Sequence, residues 1–131
     1  MAAAKRGVDV QLFLPQHNDE PLEQHAERYV YSRMIEAGVR VFEYHGRPRA
    51  HDKVATFDGQ VSTIGSSNLD ARSLHNNDEA NVWSSAPEVA QKLDRDLFGK
   101  DVHSSTAIRE WRPTLFERAV DFVSWKLSPL L

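Results

Sequence analysis

His51 and Lys53 stand two residues apart in the stretch AHDKVATFDGQVSTIGSSNLDARSLHNNDEANVW, residues 50–83. On an extended strand, side chains at i and i+2 leave the same face, roughly 6–7 Å apart along the chain. An imidazole beside an ammonium suits a phosphate. Lys53 can neutralise phosphoryl oxygens while His51 attacks phosphorus or protonates a leaving oxygen. A lone H-x-K on the exposed side of a half-buried strand is common and usually idle, so the pair gains meaning only from what accompanies it.

The next element is Gly65-Ser66-Ser67-Asn68. Glycine lets a backbone approach a ligand closely, and two hydroxyls and an amide can donate to anionic oxygens. A short helix over Leu69–Leu74 would aim free N–H groups at the same place. Arg72 could join that cradle or could equally form a surface salt bridge. Glu79 and Asn81 are again two apart on an expected strand, so they share a face. The Glu79 carboxylate could bond the far nitrogen of His51 and fix its tautomer; the plain alternative is a polar row on an edge strand. Asp58 precedes Gly59 in a turn dipeptide, where shaping the turn outweighs direct chemistry.

Together these spacings are far more specific than any one of them. His51-x-Lys53, four residues, Asp58, six residues, Gly65-Ser66 and then Asn68 resembles the phospholipase D superfamily signature H-x-K-x4-D-x6-G-S-x-N, with every defined position matched. The continuation Asn68-Leu69-Asp70-Ala71-Arg72-Ser73, with Asn77 and Glu79, is similar to the bacterial cardiolipin synthase branch. So are Ala4-Lys5-Arg6-Gly7-Val8-Asp9-Val10, the run Ala37-Gly38-Val39-Arg40-Val41 with Tyr44, and the ending Trp111-Arg112-Pro113 with Leu127-Ser128-Pro129-Leu130-Leu131. The resemblance covers nearly the whole chain, as the C-terminal half of such an enzyme.

The resemblance implies phosphatidyl transfer through a phosphohistidine. Two H-x-K motifs face each other; one histidine attacks phosphorus, and the other protonates the departing alcohol and deprotonates the incoming one. A two-step in-line displacement needs a group on each side of phosphorus. Carried onto this chain, His51, Lys53 and Asp58 are the catalytic set. Ser66, Asn68 and Arg72 bind phosphate, and Gly65, Glu79 and Asn81 support them. Family position makes His51 the general acid/base rather than the nucleophile. No cofactor or metal is implied. The substrate is a phospholipid, with phosphatidylglycerol the typical donor and acceptor, met at the surface of a bacterial cell membrane.

Only one H-x-K is present. The other histidines lack the partner: His17, His25, His75 and His103 are followed by the wrong residues, and His45-Gly46-Arg47 lacks everything downstream. The chain therefore supplies at most half a site. Its partner half comes either from preceding sequence or from a second copy. A phospholipase D hydrolase, or a single-motif nuclease acting as a homodimer, is one alternative; a non-catalytic α/β fragment or interaction module is another. The formal net charge of −3 argues against a nucleic-acid partner.

Positioning these residues requires a soluble-type fold. The 131 residues, 40% apolar and 27% charged, fit one domain over 1–131. There is no cysteine, so neither a disulfide nor a thiolate site is available. No run of about 18 apolar residues is present to span a membrane, and Met1–Gly7 lacks the apolar core of a signal peptide. The isolated chain is expected to be soluble.

GVDVQLFLP reads as a buried strand. NDEPLEQHAERYVYSRMIEAG reads as one helix, capped by Asp19, with Pro21 in its first turn and Gly38 closing it. VRVFEYH is a second strand. HDKVATFD and QVSTIGS form a hairpin at Asp58-Gly59, and residues 77–85 give a fifth strand. Ser85-Ala86-Pro87-Glu88 and Thr114-Leu115-Phe116-Glu117 both spell capping boxes. The first precedes a helix striped with Val89, Leu93 and Leu97; the second opens an amphipathic helix over 113–128. The order β-α-β-β-β-α-α predicts a layered α-β-α half-domain of phospholipase D type, a mixed sheet flanked by helices. Ala2–Lys5 reads as the tail of a helix, which suggests that a first strand and most of a helix are missing. In the last helix Leu115, Phe116, Ala119, Val120, Phe122, Val123 and Leu127 make a wide apolar face. Packing against the sheet is the preferred expectation and a bilayer-surface role the alternative.

Overall fold

The VRVFEYH run forms the middle strand of a three-stranded sheet. In the computed structural model, which describes residues 1–17, 20–46, 51–68, 73 and 77–127, strand β1 (Gln11–Pro15) pairs parallel with β2 (Arg40–Tyr44). On its other side β2 pairs antiparallel with β6 (Ser105–Ile108), Val41 opposite Ile108 and Tyr44 opposite Ser105. Pro15 ends an edge strand, where its missing N–H costs no ladder bond. Strand β6 was not anticipated: STAI is short and alternates weakly, so only its pairing with β2 defines it.

This sheet belongs to the first of two units, Met1–Ala50 with Ser105–Leu131. Ala2–Lys5 form a short helix, α1, before β1. The expected single helix over 18–38 is instead two, α2 (Pro21–Tyr29) and α3 (Tyr31–Glu36), broken at Val30. The break turns Tyr31 fully inward, beside Ala4, Val39 and Val41. Leu12, Leu14, Met34, Ile35, Ile108 and Trp111 close around that cluster, and Tyr31 meets the Trp111 ring edge-on at 5.3 Å. Pro21 takes the first helical position as expected; Asp19, the expected cap, lies outside the described residues. Gly38 has φ +89°, and the Val39 and Gly38 N–H groups donate to Met34 and Ile35 carbonyls at 3.0 and 2.9 Å. That is a Schellman ending, which needs the left-handed residue glycine supplies. Helix α6 (Leu115–Leu127) packs on α2. Its capping box forms: the Thr114 N–H donates to the Glu117 carboxylate at 2.8 Å, and the Glu117 N–H donates to Thr114 Oγ1 at 3.2 Å.

The second unit, His51–Ser104, carries an antiparallel sheet of β3 (Val54–Phe57), β4 (Val61–Gly65) and β5 (Asn81–Ser84) in that order. Asp58 (φ +54°) and Gly59 (φ +61°) turn β3 into β4, and the Gln60 N–H donates to the Phe57 carbonyl at 2.9 Å. Two positive φ values in succession make the type I′ turn that the Asp-Gly pair predicts.

Helix α4 (Pro87–Leu93) runs on through a π-helical segment, Asp94–Phe98, then α5 (Gly99–Asp101) and a 3-10 turn, Val102–Ser104. The box expected at Ser85–Glu88 does not form. Pro87 occupies the first helical position, which makes Ala86 the cap, and the Ala86 N–H is taken by Ser84 Oγ at 3.2 Å. The helix covers the sheet face that carries Thr56 and Ser62: Thr56 Oγ1 donates to Asp94 at 2.5 Å, and Ser62 and Ala90 are fully buried. The expected stripe of Val89, Leu93 and Leu97 instead lines an open surface groove with Glu88, Lys92 and Asp96.

The α/β class and flanking helices are as expected, with one mixed and one antiparallel sheet among the described residues in place of a single mixed one. No described helix is long and apolar enough to cross a membrane.

Candidate active site

The second unit brings most of the motif residues to one end of its sheet. Residues opposite one another in antiparallel strands share a face. Gly65 pairs with Asn81, and the Gly65 N–H donates to the Lys53 carbonyl at 3.1 Å, which places Lys53 opposite Gly65 on the other side. Lys53, Gly65 and Asn81 therefore form one cross-strand row, on the face opposite α4. The ladder bond at Lys53 extends the hairpin one residue beyond β3, and His51 lies two residues further out, exposed. The half-buried Lys53 turns its ammonium back onto the His51 carbonyl at 3.0 Å.

Gly65 has no room for a side chain. A Cβ built there would overlap the Asn81 carboxamide oxygen and the Ala80 carbonyl. That space belongs to Asn81, which folds over Gly65 and grips the loop beyond it. The Ser67 N–H donates to Asn81 Oδ1 at 3.4 Å, and Asn81 Nδ2 donates to Ser67 Oγ at 2.9 Å. One residue earlier, Ser66 is locked to the same strand approach: its N–H donates to the Ala80 carbonyl, and its Oγ accepts from the Ala80 N–H, both at 3.0 Å. The Ser66 hydroxyl donates to Glu79. The loop Gly65–Asn68 is thus fixed through Ser66 and Ser67 by five bonds to residues 79–81, with Asn68 exposed at its end.

Glu79 precedes β5 and does not lie within it. Its carboxylate takes the Ser66 hydroxyl and, at 3.3 Å, the Asn77 carboxamide. The Ser66 bond and then Ser73 hold its carboxyl below the usual range against desolvation, with smaller help from Asn77 and the nearby Lys53 charge. The sequence suggested His51 as its partner; the geometry engages it with the serine loop.

Asp58 is placed elsewhere. It sits at the hairpin turn, separated from Lys53 by the whole of β3, five residues or roughly 16 Å of extended chain. Arg72 and the proposed helix at 69–74 lie outside the described residues, apart from Ser73. The bonds from Ser67 to Asn81 were not foreseen, although Ser67 was visible as a second hydroxyl in the loop. Away from the row, Phe57 and Trp83 stack on the same sheet face at 5.8 Å, and both are exposed. Among the described residues, no group of three or more His, Asp or Glu side chains is placed to hold a metal ion.

In chemical terms this end of the sheet offers a cation, an exposed imidazole, an ordered loop rich in hydroxyl and amide donors, and a carboxylate kept ionised. The set suits a tetrahedral anion.

Comparison with known proteins gives a consistent result. The family described as "Cardiolipin synthase, PLD-like domain" matches residues 1–100. The chain is 36% identical over 132 residues to the cardiolipin synthase of Alkalihalophilus pseudofirmus, covering 98% of this chain and 26% of that protein. It is 36% identical over 141 residues to cardiolipin synthase A of Edwardsiella ictaluri, covering 98% and 27%. The chain thus spans about a quarter of the length of the curated relatives it matches. Among solved structures, it resembles the phospholipase D family member Nuc from Salmonella typhimurium, with a TM-score of 0.68 and 21% identity, covering 83% of this chain and 70% of that one.

Proposed function

The chain belongs to the cardiolipin synthase, phospholipase D-like domain family, and from that premise we propose that it supplies one half of a phosphatidyl-transfer site. The substrate is a phospholipid, with phosphatidylglycerol as donor and a second phosphatidylglycerol as acceptor. In the first step a histidine nitrogen bonds to the donor's phosphorus, and the bond from phosphorus to the glycerol oxygen breaks. The departing oxygen takes a proton from the opposing histidine. In the second step that histidine removes the proton from the acceptor hydroxyl. Its oxygen then bonds to phosphorus as the N–P bond breaks, giving cardiolipin and the free enzyme.

Within this half, His51 is the acid/base group, and Lys53 neutralises charge on the phosphoryl oxygens. Asn68 donates from the loop end, Ser66 sets the loop through its bonds to Ala80 and Glu79, and Arg72 is the further candidate for phosphate. Glu79 and Asn81 hold the loop. Asp58 acts through the hairpin turn rather than on substrate. The opposing histidine comes from a second H-x-K half, whether elsewhere in a longer chain or on a second copy. The exposed Phe57–Trp83 pair on the same face as Lys53 supports a covered, paired surface there.

The observation that carries this reading is the Lys53–Gly65–Asn81 row, which sets the H-x-K motif beside an ordered donor loop. The test incubates the chain, alone and joined to a second H-x-K half, with phosphatidylglycerol vesicles, and follows glycerol and cardiolipin by mass spectrometry. Cardiolipin formation that disappears in His51→Ala is the expected result. Phosphatidic acid in place of cardiolipin would identify water as acceptor and a hydrolase. Undiminished turnover in His51→Ala would overturn the assignment.

A further inference from the structure

Helix α6 is arranged the opposite way from the expected sheet-packed helix. Its buried residues are Asp121 and Ser124. Its apolar residues face outward: Leu115 is 87% exposed, Phe116 77%, Val123 54% and Phe122 43%, and Ala119 and Leu127 are exposed with them. At about 100° per residue these six span an arc of roughly 140°.

The charges around that arc are sorted by sign. Lys126 falls inside it, and its ammonium lies 5.9 Å from the Phe122 ring and 5.1 Å from the Trp125 ring. Arg118 borders it. Both acids of the helix point the other way and are engaged: Asp121 is buried against His25 at 2.6 Å, and Glu117 closes the cap with Thr114. A chain with more acidic than basic residues, 19 against 16, thus keeps every carboxylate of this helix off its apolar face. Helices that lie in a bilayer interface combine an outward apolar arc with bordering cations and a tryptophan near the head groups. Basic side chains there gain from an anionic surface.

We infer that the outer face of α6 is a docking surface for an anionic phospholipid bilayer, with the helix lying in the plane of the interface. Phe116, Val123 and Leu115 enter the acyl boundary, and Lys126 and Arg118 meet lipid phosphates. The choice of lipid as partner rests on the phosphatidyl-transfer reading above. Docking would hold the enzyme where its substrate resides.

The test is co-sedimentation of the full chain with vesicles of phosphatidylcholine alone and of phosphatidylcholine mixed with phosphatidylglycerol. Wild type should bind the anionic vesicles, less so in high salt, and bind the neutral ones weakly. Phe116→Glu and Val123→Glu should each lower anionic-vesicle binding at least tenfold. Both sites are exposed, and an unchanged circular-dichroism spectrum would show the fold intact. Lys126→Glu should lower binding to anionic vesicles selectively. His51→Ala should bind vesicles like wild type, so loss of chemistry and loss of docking are read separately. Equal binding by wild type and Phe116→Glu would overturn the inference, as would loss of binding in His51→Ala. A dimer in solution that Phe116→Glu dissolves, without any vesicle binding by wild type, would overturn it in favour of a second copy as occupant.

Discussion

Asn81 and Ser67 hold each other at two points, amide N–H to carboxamide oxygen at 3.4 Å and carboxamide nitrogen to hydroxyl at 2.9 Å. The grip exists because Gly65, directly opposite Asn81, leaves its side-chain volume to that carboxamide. Two positions sixteen residues apart in sequence thus share one space. The glycine of the G-S-x-N motif makes room for the loop's clamp, whatever it also does for a ligand. The loop that leads to Asn68 is thereby ordered in advance, the condition under which hydrogen-bond donors stabilise developing charge best.

Shared space predicts coupling. Gly65→Ala should displace the Asn81 side chain and lower transfer on the order of a hundredfold, since a backbone shift of the donor loop misplaces several groups. Asn81→Ala removes the clamp but frees the space, and should cost roughly tenfold, the kinetic equivalent of about 1.4 kcal/mol. In the double variant the alanine at 65 no longer meets the Asn81 carboxamide but still meets the Ala80 carbonyl, so part of the Gly65→Ala loss is relieved and the two losses should combine to less than their product. Measuring kcat/KM for the four proteins decides it. Strictly multiplicative losses would show that the two residues act independently.

Glu79 should shape the acid side of the stability profile. Its carboxyl is held below the ordinary range, first by the Ser66 hydroxyl. A carboxyl whose folded-state value is depressed stabilises the fold above its unfolded value, and that contribution fades as pH falls through the folded value. Wild type should therefore be more stable than Glu79→Gln at neutral pH, and the gap in Tm should close as pH drops below the usual carboxylate range. A gap constant with pH would remove the ionised carboxylate from the account. In turnover, Glu79→Gln should be impaired less than His51→Ala, because it acts on the loop rather than on phosphorus.

The His25–Asp121 pair should respond asymmetrically. Asp121 is almost wholly buried, with 2% of its side chain exposed, whereas His25 keeps 32%. Removing His25 strands a buried carboxylate and should cost about 3 kcal/mol. Removing Asp121 leaves an imidazole that water can reach, and should cost about 1 kcal/mol. Urea denaturation of His25→Ala and Asp121→Ala measures both. Equal losses would mean the pair contributes through packing alone.

A candidate site was easier to nominate from the sequence than the architecture was to derive. The hairpin was legible because Asp58-Gly59 permits few other turns, and the helix end at Gly38 because a left-handed residue had to sit there. Spacing identified the H-x-K and G-S-x-N residues, and strand alternation placed Lys53 on one face. What alternation could not supply was register: that Gly65 faces both Lys53 and Asn81 depends on pairings between segments remote in sequence. The same limit hid β6, which exists through its pairing with β2, and made Glu79 look like a histidine partner when a serine lay closer. The orientation of α6 was misjudged for a related reason. Amphipathicity shows that a helix has an apolar face, but the buried Asp121–His25 pair decides which face turns inward.

The cap of α6 offers a last prediction that joins stability to the proposed docking. The Thr114 hydroxyl and the Glu117 carboxylate exchange bonds across the first turn, and Leu115 and Phe116 sit on that turn. Thr114→Ala removes the side-chain partner of the Glu117 N–H and should cost about 1 kcal/mol. Fraying should begin at Leu115 and leave the His25–Asp121 contact, two turns along, in place. Amide exchange should therefore rise for residues 115–118 while α2 stays protected. Because Phe116 must be held in a helix to present its ring with Val123, anionic-vesicle affinity should fall several-fold, short of the loss in Phe116→Glu. Thr114→Ser, which keeps the hydroxyl, should restore both readings. Raised exchange at the first turn with undiminished vesicle binding would show that those residues need no ordered helix to meet lipid, and would confine docking to the Phe122–Leu127 end.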